Sequence, residues 1–157
     1  MMRTVIVIVH AHGQAENALD QFGPELAAHV ERVGCDVVAI ELVPIEGDLF
    51  EERLTHYVDD QVSLVLTSGG AGIGSHDVVP ELTSILIDRR VPGLEELMRR
   101  ALIAQAPRGA FERGSVGLAG ATLIVNLPAE IEGARIALDA LAPVLPDLWQ
   151  QLADARP

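Results

Sequence analysis

The fold of this chain is decided by the stretch Leu64-Val65-Leu66-Thr67-Ser68-Gly69-Gly70-Ala71-Gly72-Ile73-Gly74-Ser75-His76-Asp77-Val78-Val79-Pro80-Glu81. Its apolar start is typical of a strand that is covered on both faces of a parallel sheet. The four glycines that follow can adopt positive φ angles and let a ligand approach the bare backbone. Beyond them, Asp77 is predicted to cap a helix over residues 79–87, with Pro80 in its first turn. The stretch therefore predicts a strand, a glycine-rich loop and a helix in succession.

A loop of this kind is a candidate anion site. Unpaired amides and the helix dipole at a helix start favour a negative charge, typically a phosphate. The alternative is a tight strand-to-helix connection that binds nothing. The named nucleotide motifs do not fit, because no Gly-Lys-Ser/Thr sequence follows the loop and position 75 is serine instead of glycine. The loop thus predicts phosphate binding through backbone amides.

The rest of the chain repeats the alternation of strands and helices. Apolar and β-branched runs predict four strands, which are Thr4–Val9, Asp36–Leu42, Val62–Leu66 and Thr122–Asn126. Amphipathic helical segments separate these runs. We therefore expect one α/β domain over residues 1–157, a three-layer sandwich with a mainly parallel sheet flanked by helices. In such folds ligands bind beyond the carboxyl ends of the strands.

Composition excludes several classes of partner. The formal charge of −12 and the pI near 4.6 argue against nucleic acid and against anionic membrane surfaces. No apolar run reaches the ~18 residues of a membrane span, and no signal peptide is apparent. Cys35 is the single cysteine, which excludes an internal disulfide. We expect a cytoplasmic protein.

Three separated motifs resemble the molybdopterin-binding domain of molybdenum cofactor biosynthesis. That family has a Thr-Gly-Gly-Thr-Gly loop, then Arg-Asp and a Thr-Pro-Glu helix start; this chain has Ser68-Gly69-Gly70-Ala71-Gly72, His76-Asp77 and Val79-Pro80-Glu81. The segment from Pro92 to Arg99 resembles the family's Pro-Gly-x-x-Glu-x-x-Arg helix. The segment Asn126-Leu127-Pro128 resembles its Asn-Leu-Pro strand end. The resemblance covers nearly the whole chain and implies the molybdopterin-binding fold.

The resemblance also implies a function. The family reaction is adenylyl transfer from ATP to molybdopterin, with Mg²⁺ offsetting the phosphate charge, and family relatives are commonly homotrimers. Molybdopterin would then be the substrate or ligand and ATP a second substrate. The alternative is a catalytically silent relative that serves as a binding or assembly module.

Site residues follow from the matched positions. The resemblance implies ligand contacts from Ser68, Gly69, Gly70, Gly72, Gly74, Ser75, His76, Arg113, Asn126 and Pro128. Asp77 is the candidate catalytic carboxylate and Mg²⁺ ligand, with a plain helix cap as its alternative. Glu46 is the second catalytic candidate, with a solvated loop acid as its alternative. Arg113 would bind ligand phosphate or merely offset the acidic surface.

Four departures from the family pattern bear on turnover. Ile45 stands where many members have a catalytic aspartate, and Ala71 replaces the loop threonine. Glu112 replaces a serine, and Ala129-Glu130-Ile131 replaces a Gly-Ser-Pro helix start. Because a carboxylate near a phosphate opposes it unless a cation lies between them, we expect weak adenylylation at most.

Overall fold

The computed structural model describes residues 1–10 and 15–155, and the side chains of these residues other than 15–21. Six strands form one sheet in the order β2-β1-β3-β6-β5-β4. They are β1 (Met2–His10), β2 (Cys35–Pro44), β3 (Leu64–Ser68), β4 (Arg89–Arg90), β5 (Val116–Ala119) and β6 (Thr122–Leu127). The first three and β6 pair in parallel, whereas β5 runs antiparallel to both β6 and β4. The predicted mainly parallel sheet is confirmed. All four predicted strands are present, but the third lies over Leu64–Ser68 instead of Val62–Leu66.

Helices cover both faces of this sheet. They are α1 (Ala15–Arg32), α2 (Gly47–Asp59), α3 (Val79–Leu86), α4 (Pro92–Gln105), α5 (Ile131–Leu141) and α6 (Leu145–Asp154), with a 3₁₀ helix over Pro107–Phe111. Side chains of α2 and α3 pack on one face, and those of α1, α4, α5 and α6 pack on the other. The result is the expected three-layer sandwich. None of the described helices combines the length and apolarity that crossing a bilayer requires.

Strand β1 shows why the sheet needs both helical layers. Its alternate side chains Val5 and Val7 join the core under α2 and α3, while Ile6 and Ile8 join the core under α1, α4 and α5. This follows from the two-residue period of a strand, which sends successive side chains to opposite faces. All four are at most 4% exposed, so the strand is buried on both sides.

Two sequence-based expectations about this fold need correction. Asp77 does not cap α3, because the N-cap position is Val78 and no side chain caps that helix. The antiparallel strands β4 and β5 were not among the predicted elements, and β4 is only two exposed arginines, Arg89 and Arg90. The carboxyl ends of β1, β3 and β6 nevertheless meet at one edge, where the glycine-rich loop begins.

Candidate functional site

The glycine-rich loop follows β3. Its first two positions, Gly69 and Gly70, have no space for a side chain. Gly69 has a φ of +105°, and a Cβ there would lie 2.6 Å from the carbonyl oxygen of Val9. Gly70 has a φ of +71°, and a Cβ there would lie 2.5 Å from Cγ2 of Val79. Both the backbone conformation and the contacts therefore require glycine. The loop is pressed against the end of β1 and the start of α3.

Several amides of the loop are open to a ligand. Across the described part of the chain, no acceptor is found for the amides of Gly72, Ile73, Ser75 and His76. Ser75 and His76 are exposed. Gly74 differs, since its amide donates to Oδ2 of Asp77 over 2.8 Å. Gly74 is thus already paired, whereas its neighbours can donate to an anion.

Asp77 is folded back into the loop. A Cβ built on Gly72 would lie 2.9 Å from Oδ2 of Asp77, and one on Gly74 would lie 2.8 Å from the same atom. The carboxylate therefore caps the loop instead of the helix. An anion bound close to Asp77 would need a cation between the two, because like charges at ~4–6 Å oppose one another.

Arg113 clamps the loop from the other side. Its Nε donates to the carbonyl oxygen of Gly72 over 2.7 Å, and its Nη2 donates to the carbonyl oxygen of Asp77 over 2.6 Å. Its Nη1 lies 2.5 Å from Oε1 of Glu81, and the hydrogen bonds from Arg113 hold the pKa of the Glu81 carboxyl below its ordinary value. The guanidinium thus spans both ends of the loop. This is a third role, which neither sequence-based alternative for Arg113 described.

Three other predicted ligand residues are engaged inside the protein. Ser68 Oγ donates to the carbonyl oxygen of Pro128 over 2.7 Å, which joins the ends of β3 and β6. Asn126 is 1% exposed; its Nδ2 donates to the hydroxyls of Thr67 and Thr83, and its Oδ1 accepts from the amide of Ser115. These side chains hold the site together. Their contact with a ligand stays a prediction.

A cavity of about 390 Å³ opens beside the loop. Gly72 and Ile73 line it from the loop, Leu102 lines it from α4, and Glu112 and Glu130 line it from the segments that end the 3₁₀ helix and precede α5. Burial raises the pKa of the Glu112 carboxyl, and the carboxylates of Asp77 and Glu130 raise it further. The open amides and an acidic, partly apolar cavity are therefore neighbours.

Position 45 and Glu46 are placed differently from one another. Cδ1 of Ile45 would lie 3.0 Å from a Cβ on Gly70, so position 45 touches the loop. Glu46 is exposed and lines a separate depression with residues of α2, including Asp48 and Glu52. The structure does not bring Glu46 into the cavity, and its catalytic role stays a prediction.

The helix that matches Pro-Gly-x-x-Glu-x-x-Arg supplies two positioning residues that the sequence did not assign. Glu95 is 8% exposed and accepts from the amide of Val116 over 2.9 Å. One turn later, Arg99 Nε donates to the carbonyl oxygen of Glu112 over 3.0 Å. Their spacing of four residues, which places both on one face of the helix, was the sequence signal from which this role could have been predicted. Together they fix the segment that carries Glu112 and Arg113.

Comparison with known proteins identifies the family. Residues 5–147 match the model of a family described as a probable molybdopterin binding domain. This chain belongs to that molybdopterin-binding family. Membership of this family explains both the fold and the three sequence motifs that resemble the family.

Relatives in this molybdopterin-binding family include proteins named as enzymes. The molybdopterin adenylyltransferase of Helicobacter pylori is 36% identical over 107 residues, 68% of this chain and 61% of that protein. The molybdopterin adenylyltransferase of Haemophilus influenzae is 32% identical over 144 residues, 90% of this chain and 73% of that protein. The match to the Helicobacter protein thus spans about three fifths of that protein's length.

Solved structures of similar proteins share the whole fold. The molybdopterin biosynthesis enzyme MoaB from Thermus thermophilus superposes with a TM-score of 0.82 at 36% identity, over 100% of this chain and 99% of that chain. A molybdopterin biosynthesis protein from Mycobacterium abscessus superposes with a TM-score of 0.88 at 29% identity, over 97% of this chain and 96% of that chain.

Proposed function

We propose that this protein acts in molybdenum cofactor biosynthesis by binding molybdopterin and transferring an adenylyl group to it from ATP. The observation that carries the proposal is the row of open loop amides beside the 390 Å³ cavity. Relatives at 36% and 32% identity are molybdopterin adenylyltransferases, which supports the same substrate for this chain.

In this proposal the loop holds phosphate. Gly72 and Ile73 line the cavity, and their amides, which have no acceptor among the described residues, would donate to phosphate oxygens of the ligand. Arg113 would act through the loop, because its hydrogen bonds to the Gly72 and Asp77 carbonyls fix where those amides lie. Preorganised donors of this kind need no rearrangement when the charge arrives.

The proposed reaction is a phosphoryl-centred displacement. An oxygen of the molybdopterin phosphate would attack the α-phosphorus of ATP and form a new P–O–P bond. The bond between the α-phosphorus and its bridging oxygen would break, and pyrophosphate would leave. The chain contributes positioning and charge stabilisation to such a transfer.

In this proposal Mg²⁺ would enter the site bound to the phosphates of ATP. Among the side chains that the structure describes, no three from His, Cys, Asp or Glu lie close enough together to hold a metal by themselves. Mg²⁺ that is carried on phosphates needs only one or two protein carboxylates. Asp77 would supply one of them at the loop, and the ion would offset the repulsion between Asp77 and the phosphates.

The test is adenylylation under anaerobic conditions. The protein is incubated with molybdopterin, ATP and Mg²⁺, and adenylylated molybdopterin and pyrophosphate are measured by chromatography. We expect slow product formation, because position 45, which touches Gly70, is isoleucine where many family members have a catalytic aspartate.

Asp77→Asn keeps an oxygen acceptor for the Gly74 amide but removes the charge, so we expect at least a ~100-fold loss of rate with little change in Tm. Full activity of Asp77→Asn, or no product from the wild type, would contradict the proposal.

The oligomeric state and location are part of the same proposal. We propose a cytoplasmic homotrimer, in line with the family resemblance. Light scattering on the purified protein should give three times the chain mass of 16.8 kDa. A monomeric mass across the micromolar range would remove the trimer from the proposal.

A further inference from the structure

The cavity beside the loop has two chemically different parts. The exposed apolar side chains of Ile73 and Phe111 line it, at 66% and 57% exposure, together with Leu102. Glu112 and Glu130 add carboxylates on the same lining. The cavity can therefore cover a flat, apolar ring while it offers hydrogen-bond acceptors to the ring edge.

Glu112 is the carboxylate with the greater need of a partner. Glu130 is 81% exposed in its side chain and is solvated, with Arg108 4.0 Å away. Glu112 is half-buried, and among the described residues no donor is hydrogen-bonded to its carboxylate. Arg99 lies close but donates to the backbone carbonyls of Glu112 and Gly114. A partly buried carboxylate without donors is costly, and a ligand with N–H groups would satisfy it.

We propose that Glu112 is a specificity-determining residue, whose carboxylate accepts hydrogen bonds from the amino and ring N–H groups of the pterin and keeps phosphate out of this part of the cavity. This inference rests on the proposed function, since it concerns how molybdopterin lies in that site. The ring N–H and the adjacent amino group of a pterin form a pair of parallel donors. A carboxylate with two oxygens matches such a pair in the way it matches a guanidinium. The ligand would then lie with its phosphate on the loop amides and its ring edge on Glu112.

The same carboxylate sets the orientation by repulsion. A phosphate placed at Glu112 would meet that carboxylate and the neighbouring carboxylates of Asp77 and Glu130. The nearby cation Arg99 attracts the Glu112 carboxylate, but its hydrogen bonds go to the backbone carbonyls of Glu112 and Gly114. Specificity often depends on such unfavourable pairs as much as on favourable ones. The serine of the resembled family has one uncharged hydroxyl, which can accept a hydrogen bond but can neither match two parallel donors nor repel a phosphate. The charged, two-oxygen acceptor therefore belongs to this chain.

Glu112→Gln is the informative variant because it keeps the shape and removes the charge. The folded protein raises the pKa of Glu112, so ionised Glu112 opposes folding once the pH exceeds the ordinary glutamate pKa of about 4.3. The variant should therefore melt no lower than the wild type at pH 7. The matched control is Glu96→Gln, an equal charge change at an exposed position on α4 outside the cavity lining.

The experiment compares dissociation constants for three probes: unsubstituted pterin by fluorescence, inorganic phosphate by calorimetry and molybdopterin by anaerobic calorimetry. We expect Glu112→Gln to weaken pterin binding about tenfold or more and to leave phosphate binding equal or tighter. Glu96→Gln should match the wild type for all three probes.

The outcomes separate this inference from the proposed function. Equal pterin and molybdopterin affinities in wild type and Glu112→Gln would overturn the role of Glu112 and leave molybdopterin binding intact. A Glu112-dependent affinity for pterin without any affinity for molybdopterin would support the role of Glu112 and overturn the proposed function. Binding of neither compound by the wild type would overturn both.

Discussion

Gly69→Ala is expected to lower the free energy of unfolding by about 3 kcal/mol and to abolish ligand binding at the loop. A left-handed conformation costs a non-glycine residue roughly 1–2 kcal/mol, and forcing atoms into a packed site costs about 1–3 kcal/mol. The new Cβ would lie 2.6 Å from the carbonyl oxygen of Val9, which is backbone and cannot rotate away. For a chain of this size we expect Tm to fall by about 6–12 °C.

Gly34 provides the matched control for that prediction. Its φ of +94° is close to that of Gly69, but nothing lies within 4 Å of a Cβ built there. Gly34→Ala should therefore show only the conformational cost, about 1–2 kcal/mol, with unchanged ligand affinity. Equal Tm values for the two variants in differential scanning calorimetry would show that the contact between the loop and β1 is unimportant.

Arg113→Gln is expected to weaken molybdopterin binding by about 10–100-fold while lowering Tm by only a few degrees. The variant loses the charge-assisted hydrogen bonds to the carbonyls of Gly72 and Asp77. Because the Arg113 side chain is 38% exposed, water replaces part of what these bonds contribute, and we expect the pair together to stabilise the fold by about 1–2 kcal/mol. Without these bonds the loop would become ordered only when the ligand binds, and the cost of ordering it would reduce the binding free energy. Affinity by anaerobic calorimetry and Tm by calorimetric melting give the two values.

Two further variants separate a clamp from a phosphate contact. Arg113→Lys keeps the charge but not the planar fork, so a clamp predicts affinity as weak as that of Arg113→Gln. Wild-type affinity in Arg113→Lys would show that Arg113 contributes only its charge. Arg135→Gln is the control, because Arg135 and its partner Glu25 are 40% and 57% exposed, close to the 38% and 56% of Arg113 and Glu81. It lies on α5, and its ion pair with Glu25 joins α5 to α1, so we expect unchanged affinity.

The parallel part of the fold could be predicted from local sequence because each of its strands is a short apolar run. Val5, Ile6 and their neighbours are buried on both faces, and such runs carry a clear signal. Strand β4 carries none, since Arg89 and Arg90 are exposed and form a strand only through pairing with β5. That pairing joins residues far apart in the chain, Arg89 with Leu118 and Arg90 with Gly117, which a local pattern does not contain.

In the candidate site, too, features set by neighbouring residues could be predicted, whereas contacts between residues far apart in the chain could not. The glycines of the loop were recognisable from their spacing alone. The prediction that Asp77 caps the helix was wrong. The carboxylate of an aspartate before a helix can accept a hydrogen bond either from a helix amide or from an amide of the preceding loop, and here it accepts from the Gly74 amide. The internal role of Asn126 depends on Thr67, Thr83 and Ser115, which only the folded sheet brings together.

Glu112 shows what sequence reasoning could see only in part. Its difference from the resembled family was visible as an added negative charge. Its burial was not, because that depends on α4 and the 3₁₀ helix closing around the cavity. The raised pKa of this carboxyl is therefore a property of the fold.

We propose that the open amides of the loop bind the phosphate of molybdopterin. The most direct test is anaerobic calorimetry with two ligands, molybdopterin and its dephosphorylated form, on the wild-type protein. We predict that molybdopterin binds at least about tenfold more tightly, a difference of about 1.4 kcal/mol, because charge-assisted hydrogen bonds to the phosphate are lost with the phosphate. Equal affinities for the two ligands would show that the loop does not bind the phosphate.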